Sequence, residues 1–335
     1  MGTGSLTISQ FPHLLDESFN ISQMDYAAVE VKYPYIFDTA PPPGFDPAKP
    51  IWRMQRNYFD SHVDDDWRPG QRTKETGGAE DYWVQARVRY LRNKLPIVED
   101  ISKLSESRLW DIVSSWMSQT AINHARKLDK IAASVFNNGM LTAGHSVFNN
   151  NEPTKDGTGA APNSLFIYDG LPFYDTAHWR NAQEVAGETF SNHDASLTPW
   201  SRANMQTIWT RMTITNAKDY NGEQIDIMPN AVIYNGTQKF NIEADLGASV
   251  ADADLQPNVI GQQGLRPLEW NLIDSTTGFF VSELKKGKRL FPWGTPYFET
   301  DYNTDTHTNY IYYTTPFGIV ITDPRYDYCA GIPAA

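Results

Sequence analysis

One amphipathic stripe runs unbroken from about Ser105 to Asn137. Leu109, Val113, Trp116, Met117, Thr120, His124, Leu128, Ile131 and Val135 recur in steps of three and four, which holds them on one face of a helix. Ser105 is placed to cap the start, and Asn137, Asn138 and Gly139 supply stop residues that tolerate left-handed backbone. At about 1.5 Å per residue the helix spans roughly 45–50 Å. A rod longer than a compact domain needs is a spine on which other parts hang. It points to a subunit that assembles rather than to a self-contained enzyme.

Two alternating runs precede the stripe. One contains Trp52, Met54 and Tyr58; the other sets Tyr82, Val84, Ala86, Val88 and Tyr90 at even positions with largely polar residues between. Such alternation marks strands. The stretch from His62 to Asp81 is rich in Asp, Arg, Gly and Lys, so the simplest joining is a long hairpin with a hydrated tip. An isolated hairpin is marginal in water, and a neighbouring subunit is a natural support. Residues 1–44 show no sustained periodicity and end in Pro41, Pro42, Pro43 and Gly44. They read as an extended arm, since triple proline excludes helix and sheet interiors.

Net charge is −12 with histidine neutral. A protein gripping nucleic acid through its phosphates carries a basic face, whereas Arg87 to Arg92 with Lys94, and Lys285 to Arg289, are short and interleaved. The charge argues against binding DNA, not against surrounding it. Ten Trp and seventeen Tyr fit a folded chain that makes large contacts. No apolar run approaches the roughly 18 residues of a membrane span. Residues 1–10 lack a signal-peptide pattern, and Cys329 has no second cysteine to pair with. The expectation is a soluble protein of a reducing compartment.

Beyond the stripe, 149–163 is a loop rich in Asn, Gly and Pro. A second helix is expected from Thr198 as N-cap and Pro199 as first helical residue to about Thr215. A proline-broken strand over 224–234, a short helix near 237–246, and strands at 268–273, 278–284, 289–291, 297–302, 309–314 and 318–322 follow. The class is α+β, with one helix dominating the middle.

Arm, long hairpin, spine helix and a mixed domain with late strands, in that order, resemble the HK97-type fold of tailed-phage major capsid proteins. The second half is similar to the Mu-type major head subunit group through Leu171 to His178, the 197–215 helix with Trp200, Met205 and Met212, Asp226 to Ile233, Pro257 to Gly261, Trp270, and Gly278 to Glu283. The first eighty residues depart from that pattern, being richer in proline and aromatics. The resemblance implies an HK97-like capsid fold with an N-terminal arm at 1–44 and an extended β-hairpin (E-loop) at 45–95. A peripheral domain (P-domain) at 96–195 would hold the spine helix 105–137, and a mixed axial domain (A-domain) would occupy 196–274. Strands at 275–315 would return to the peripheral domain, with a C-terminal segment at 316–335 near the axial domain.

The same resemblance implies a structural major capsid protein of a tailed double-stranded DNA bacteriophage, self-assembling into pentamers and hexamers of an icosahedral shell. Its partners would be itself, a portal, a scaffold or maturation protease, and cement or decoration proteins. It would enclose DNA without sequence-specific binding, touch no membrane, and occupy the virion and, during assembly, the host cytoplasm. No catalytic residue, cofactor or metal is implied. Candidate intersubunit contacts are Trp52, Tyr58, Tyr82, Trp83 and Tyr90, with Asp64, Asp65 and Asp66 at the hairpin tip. For the aromatics the alternative is packing on their own subunit. The aspartates could instead form a solvated run, hold a cation or pair with a neighbour's Lys or Arg.

Other chemistry is poorly supported. Asp301, Asn303 and Asp305 imitate a calcium loop, but Thr306 stands where Gly is needed and Tyr312 where a bidentate Glu belongs. An Asx-rich strand turn is the better reading. The seven histidines form no metal-binding spacing. His178 near Asp175 could act as a base, yet nothing marks a nucleophile beside it. Two alternatives to a phage capsid remain. One is a soluble hydrolase using carboxylates and His178 on a carbohydrate; the other is a cellular nanocompartment shell of the same fold.

Overall fold

The computed structural model describes residues 12–59, 78–98, 106–141, 145–150, 166–180, 189–219, 222–247 and 263–333. The α-helices are α1 (Pro12–Ala28), α2 (Tyr33–Ile36), α3 (Glu106–Asn137), α4 (Arg202–Thr210), continued by a π-helical turn Arg211–Thr215, and α5 (Lys239–Gly247). The strands are β1 (Ile51–Phe59), β2 (Gly78–Arg87), β3 (Arg89–Val98), β4 (His178–Trp179), β5 (Thr189–Phe190), β6 (His193–Asp194), β7 (Ala231–Tyr234), β8 (Arg266–Glu269), β9 (Phe279–Ser282), β10 (Lys288–Pro292), β11 (Tyr297–Asn303), β12 (Thr308–Ile321) and β13 (Asp327–Ala330). The fold is α+β, and α3 is the spine that the stripe demands.

One helix serves two cores. Leu109, Val113, Met117 and Ala121 pack with Ile97, Ile311 and Tyr313 under the β3–β12–β11 sheet. Further along the same face, Leu128, Ala132, Val135 and Phe136 enter a second core with Phe148, Phe173, Tyr174, Trp270 and Phe280. In the second sheet, ordered β6-β13-β9-β7-β8, the three inner strands are buried on both faces. Phe280, Ile233 and Cys329 face the spine core, while Phe279, Val281, Val232, Tyr234 and Tyr328 face α4 and α5. That split follows from the two-residue period of a strand.

Several elements of the described structure differ from the sequence reading. Residues 12–28, read as extended arm, form α1 against α3. Its inward face is Leu15, Ser18 and Ser22, with Phe19 and Tyr26 half-buried; two serines where apolar residues would mark the period hide the helix. The second helix starts later, with Ser201 Oγ accepting from the Asn204 N–H at 3.1 Å, so the cap is Ser201 and not Thr198. Gly139 does not take a left-handed backbone. Finally, the strands expected at 309–314 and 318–322 are one strand, β12, which passes through Pro316. There β12 exchanges β11 for β10 along one edge, and the Pro316 carbonyl points to that edge, accepting from Trp293 N–H at 3.2 Å. Pro316 has no N–H to return that bond, and the gap falls beyond the end of β10, where β12 changes partner.

The N-terminal segment is tied to the spine by Asp129. Its Oδ1 accepts from the N–H groups of Lys32 (2.9 Å) and Tyr33 (2.8 Å), and its Oδ2 from Trp270 Nε1 at 3.2 Å. Five residues back along α3, buried His124 sets Nδ1 2.9 Å from Thr315 Oγ1 and lies edge-on to Tyr313. Burial lowers its pKa to about 4. The unfolded chain then takes up a proton near pH 6.5 that the folded one refuses until about pH 4, so stability falls as pH falls across that window. We expect a loss of about 2 kcal/mol after allowing for solvent screening. Denaturant unfolding at pH 7 and pH 4.5 should show it, and His124→Gln should flatten that part of the profile.

Candidate assembly interface

β1 and β2 form a two-stranded antiparallel sheet with no third strand among the described residues. Trp52 opposes Ala86, Met54 opposes Val84, and a β-bulge on β2 follows the Gln55–Trp83 pair, leaving Asn57 opposite Glu80. The even-numbered face at the root lies on the chain's own body, where Trp52, Val84 and Ala86 pack with Phe291, Trp293 and Val320. Trp52 is only 5% exposed and donates from Nε1 to the Pro43 carbonyl at 3.0 Å. Its ring is therefore taken up by its own subunit, the alternative weighed for these aromatics. Trp83, on the opposite face, is 42% exposed.

Tyr90 is 58% exposed but does not belong to the hairpin. Strand β2 stops at Arg87, Val88 N–H bonds to the Pro50 carbonyl at 2.9 Å, and β3 then pairs with β12. Alternation alone could not reveal this, because it continues through the junction at Val88. The backbones of Tyr58 and Tyr82 lie in β1 and β2, while their side chains lie outside the described residues. Asp64, Asp65 and Asp66 lie outside them altogether. β1 and β2 pair as expected, and Trp52, Trp83 and Tyr90, the candidates whose side chains are described, do not form one patch. Met24 on α1 (74% exposed) and Phe240 on α5 (83%) are further exposed apolar side chains that sequence reasoning did not single out. Each sits on a helix that also buries apolar side chains, so composition does not distinguish them.

His178 is enclosed. Nδ1 lies 2.7 Å from Asp169 Oδ2, Nε2 lies 3.3 Å from the Phe173 carbonyl, and the ring stacks on Phe190. Neither His178 nor Asp169 has exposed side-chain area. Its carboxylate partner is Asp169, while Asp175 accepts from the Ala177 N–H at 2.9 Å. The pair pins the loop between residues 169 and 178, and no substrate reaches it without opening the core. The Asp301–Asp305 segment is the strand turn anticipated, with Asn303 Oδ1 accepting from the N–H groups of Asp305 (2.9 Å) and Thr306 (3.3 Å). Among the described residues no helix is long and apolar enough to cross a membrane, and no cluster of His, Cys, Asp or Glu has metal-binding geometry.

No protein-family model matches the chain, and no curated protein matches it in sequence. The solved structures to which it is similar include capsids and a virus-like particle. The capsid of Myoviridae phage XM1 is 10% identical, with 87% of this chain and 88% of that one covered and a TM-score of 0.48. The capsid of a native GTA particle is 11% identical over 91% and 95%, with a TM-score of 0.47. The virus-like particle from Pyrococcus furiosus is 8% identical over 96% and 99%, with a TM-score of 0.43.

Proposed function

We propose that this chain is a major capsid subunit of HK97-like architecture, one that tiles a closed icosahedral shell around the double-stranded DNA of a tailed phage. The observation that carries the reading is the β1–β2 ribbon, nine and ten residues long and without a third strand among the described residues. The root of the ribbon packs on the chain's own body, while unpaired edges of that length invite pairing with another chain. Trp83, Met24 and Phe240 add exposed apolar area on separate elements, as a subunit meeting several neighbours needs. Repeated by symmetry, modest contacts of this kind stabilise a closed shell.

In this reading the ribbon is the extended loop, α3 the spine of the peripheral domain, and 196–274 the axial domain. The subunit forms pentamers and hexamers in the host cytoplasm. A portal, a maturation protease or scaffold, and cement proteins complete the particle. A net charge of −12 suits a wall that surrounds DNA without holding it.

The test is particle formation. Purified full-length chain is expected to sediment at megadalton size and show regular shells by electron microscopy. Replacing residues 60–77 with a two-residue turn is expected to leave soluble subunits or capsomers but no shells. Normal shells from that variant would refute the role given to the ribbon. A wild-type chain of 37.9 kDa that stays monomeric at high concentration would refute the function itself.

A further inference from the structure

At the root of the ribbon, between β2–β3 and the middle of α3, lies a cavity of about 850 Å³. Arg87, Arg89, Lys127, Lys130 and His145 line it, and among the described residues no Asp or Glu does. In so acidic a chain this concentration of positive charge needs an account. None of the four Arg and Lys side chains has an ion-pair partner among the described residues. The arginines are fixed: Arg87 Nε donates to the Asn149 carbonyl at 3.0 Å, and Arg89 Nη2 to the carbonyls of Val147 (2.7 Å) and Asn149 (2.6 Å). Arg89 Nε is buried with no acceptor among the described residues. Burial, and Arg87 beside it, push the Arg89 pKa down to about 9; an incoming anion would relieve both costs.

We propose that this cavity receives the acidic run Asp64–Asp66 and the adjoining Trp67 from the ribbon tip of a second copy of the chain. The proposal rests on the capsid reading and gives one of its contacts a location. Charge complementarity comes first: three successive carboxylates meet two lysines and two arginines. The wall is also half apolar, with Leu91, Ile131 and Phe317 beside the exposed ring of Tyr90. A bare phosphate would leave that surface unused, whereas a tryptophan directly after the aspartates covers it.

Reach disfavours the chain's own tip. From Ile51 at the cavity to Phe59, β1 runs eight steps, about 27 Å. Asp64 and Asp66 follow Phe59 by five and seven residues, at most about 17 and 25 Å of fully extended chain. With the strands paired, the run regains its own cavity only if every residue after Phe59 is fully extended back along β1, with no chain left over for a turn. A copy alongside has no such limit.

Charge reversal on both sides provides the test. Lys127 and Lys130 are exposed, so Lys127→Glu/Lys130→Glu spares the structural bonds of Arg87 and Arg89; circular dichroism checks folding. We expect this double variant, and separately Asp64→Lys/Asp65→Lys/Asp66→Lys, to reduce the yield of shells at least about tenfold, and the combined variant to restore it. A labelled peptide of residues 60–72 should bind soluble full-length chain, weaken about tenfold on the lysine variant, and weaken with salt. Normal shells from the aspartate variant, or peptide binding indifferent to the lysines, would overturn the docking while leaving the capsid function standing. Preferential occupation by a short oligonucleotide or by inorganic phosphate would also overturn it. If the wild-type chain makes no particles, the capsid function fails and the peptide titration alone decides the docking.

Discussion

Asp327→Leu is expected to destabilise the chain by about 3–5 kcal/mol, because it strands a buried ammonium. Lys288 on β10 and Asp327 on β13 have no exposed side-chain area. Lys288 Nζ donates to both carboxylate oxygens, at 2.9 and 2.8 Å, and to Ser282 Oγ at 2.8 Å. Burial pushes the carboxyl pKa up and the ammonium pKa down, and their mutual attraction opposes both shifts. The bond joins the sheet carrying β12 to the sheet carrying β9, so its loss loosens the junction of the two cores. Lys288→Met alone leaves an unpaired carboxylate, which can protonate, and is expected to cost less. Lys288→Met/Asp327→Leu is expected to recover most of the loss, since apolar replacement of a whole buried pair is often neutral. Denaturant midpoints of the four proteins, at unchanged slope, would check this. Single and double losses that simply add would show the pair to be uncoupled.

The elements that were legible in the sequence are those whose own side chains carry the period. The α3 stripe and the alternation of β1 and β2 are written in consecutive residues; α3 and β1 lie close to their expected bounds, while β2 ends at Arg87, before the alternating run does. Pairings between distant residues were not legible. Nothing local in 89–98 says that β3 joins β12 rather than the ribbon. Nor does anything local say that α1 survives with Ser18 and Ser22 on its buried face. The basic cavity was half visible, since Arg87 and Arg89 stood out as a short cluster. Lys127 and Lys130 belong to the polar side of α3 and meet the arginines only when the helix is laid against β2 and β3. The Lys288–Asp327 pair spans 39 residues, and only the topology brings its ends together.

Gly139→Ala is expected to cost about 2–4 kcal/mol, although glycine to alanine near a helix end is ordinarily mild. The sequence reading made Gly139 a left-handed stop residue, but its backbone does not need that freedom. What it needs is room. A Cβ there would meet the ring of Tyr174, with Cε2 at 2.7 Å and the adjacent ring carbon closer still. Tyr174 cannot step aside. It stacks on Phe173 and Phe280 with centroids 4.3 and 5.4 Å away, its N–H bonds to the Gly139 carbonyl at 3.1 Å, and it is fully buried. Interiors packed to crystal density absorb such a clash only by displacing several side chains together. Trimming the ring should therefore rescue the alanine: Gly139→Ala/Tyr174→Leu is expected to be more stable than the sum of its single variants by about 1–2 kcal/mol. Tyr174→Phe separates shape from polarity, because the Tyr174 hydroxyl is buried without a partner. Its removal is expected to be neutral or to stabilise by up to about 1 kcal/mol. Thermal midpoints of the set decide the matter. A Gly139→Ala protein as stable as the wild type would mean that the end of the spine is not seated against Tyr174.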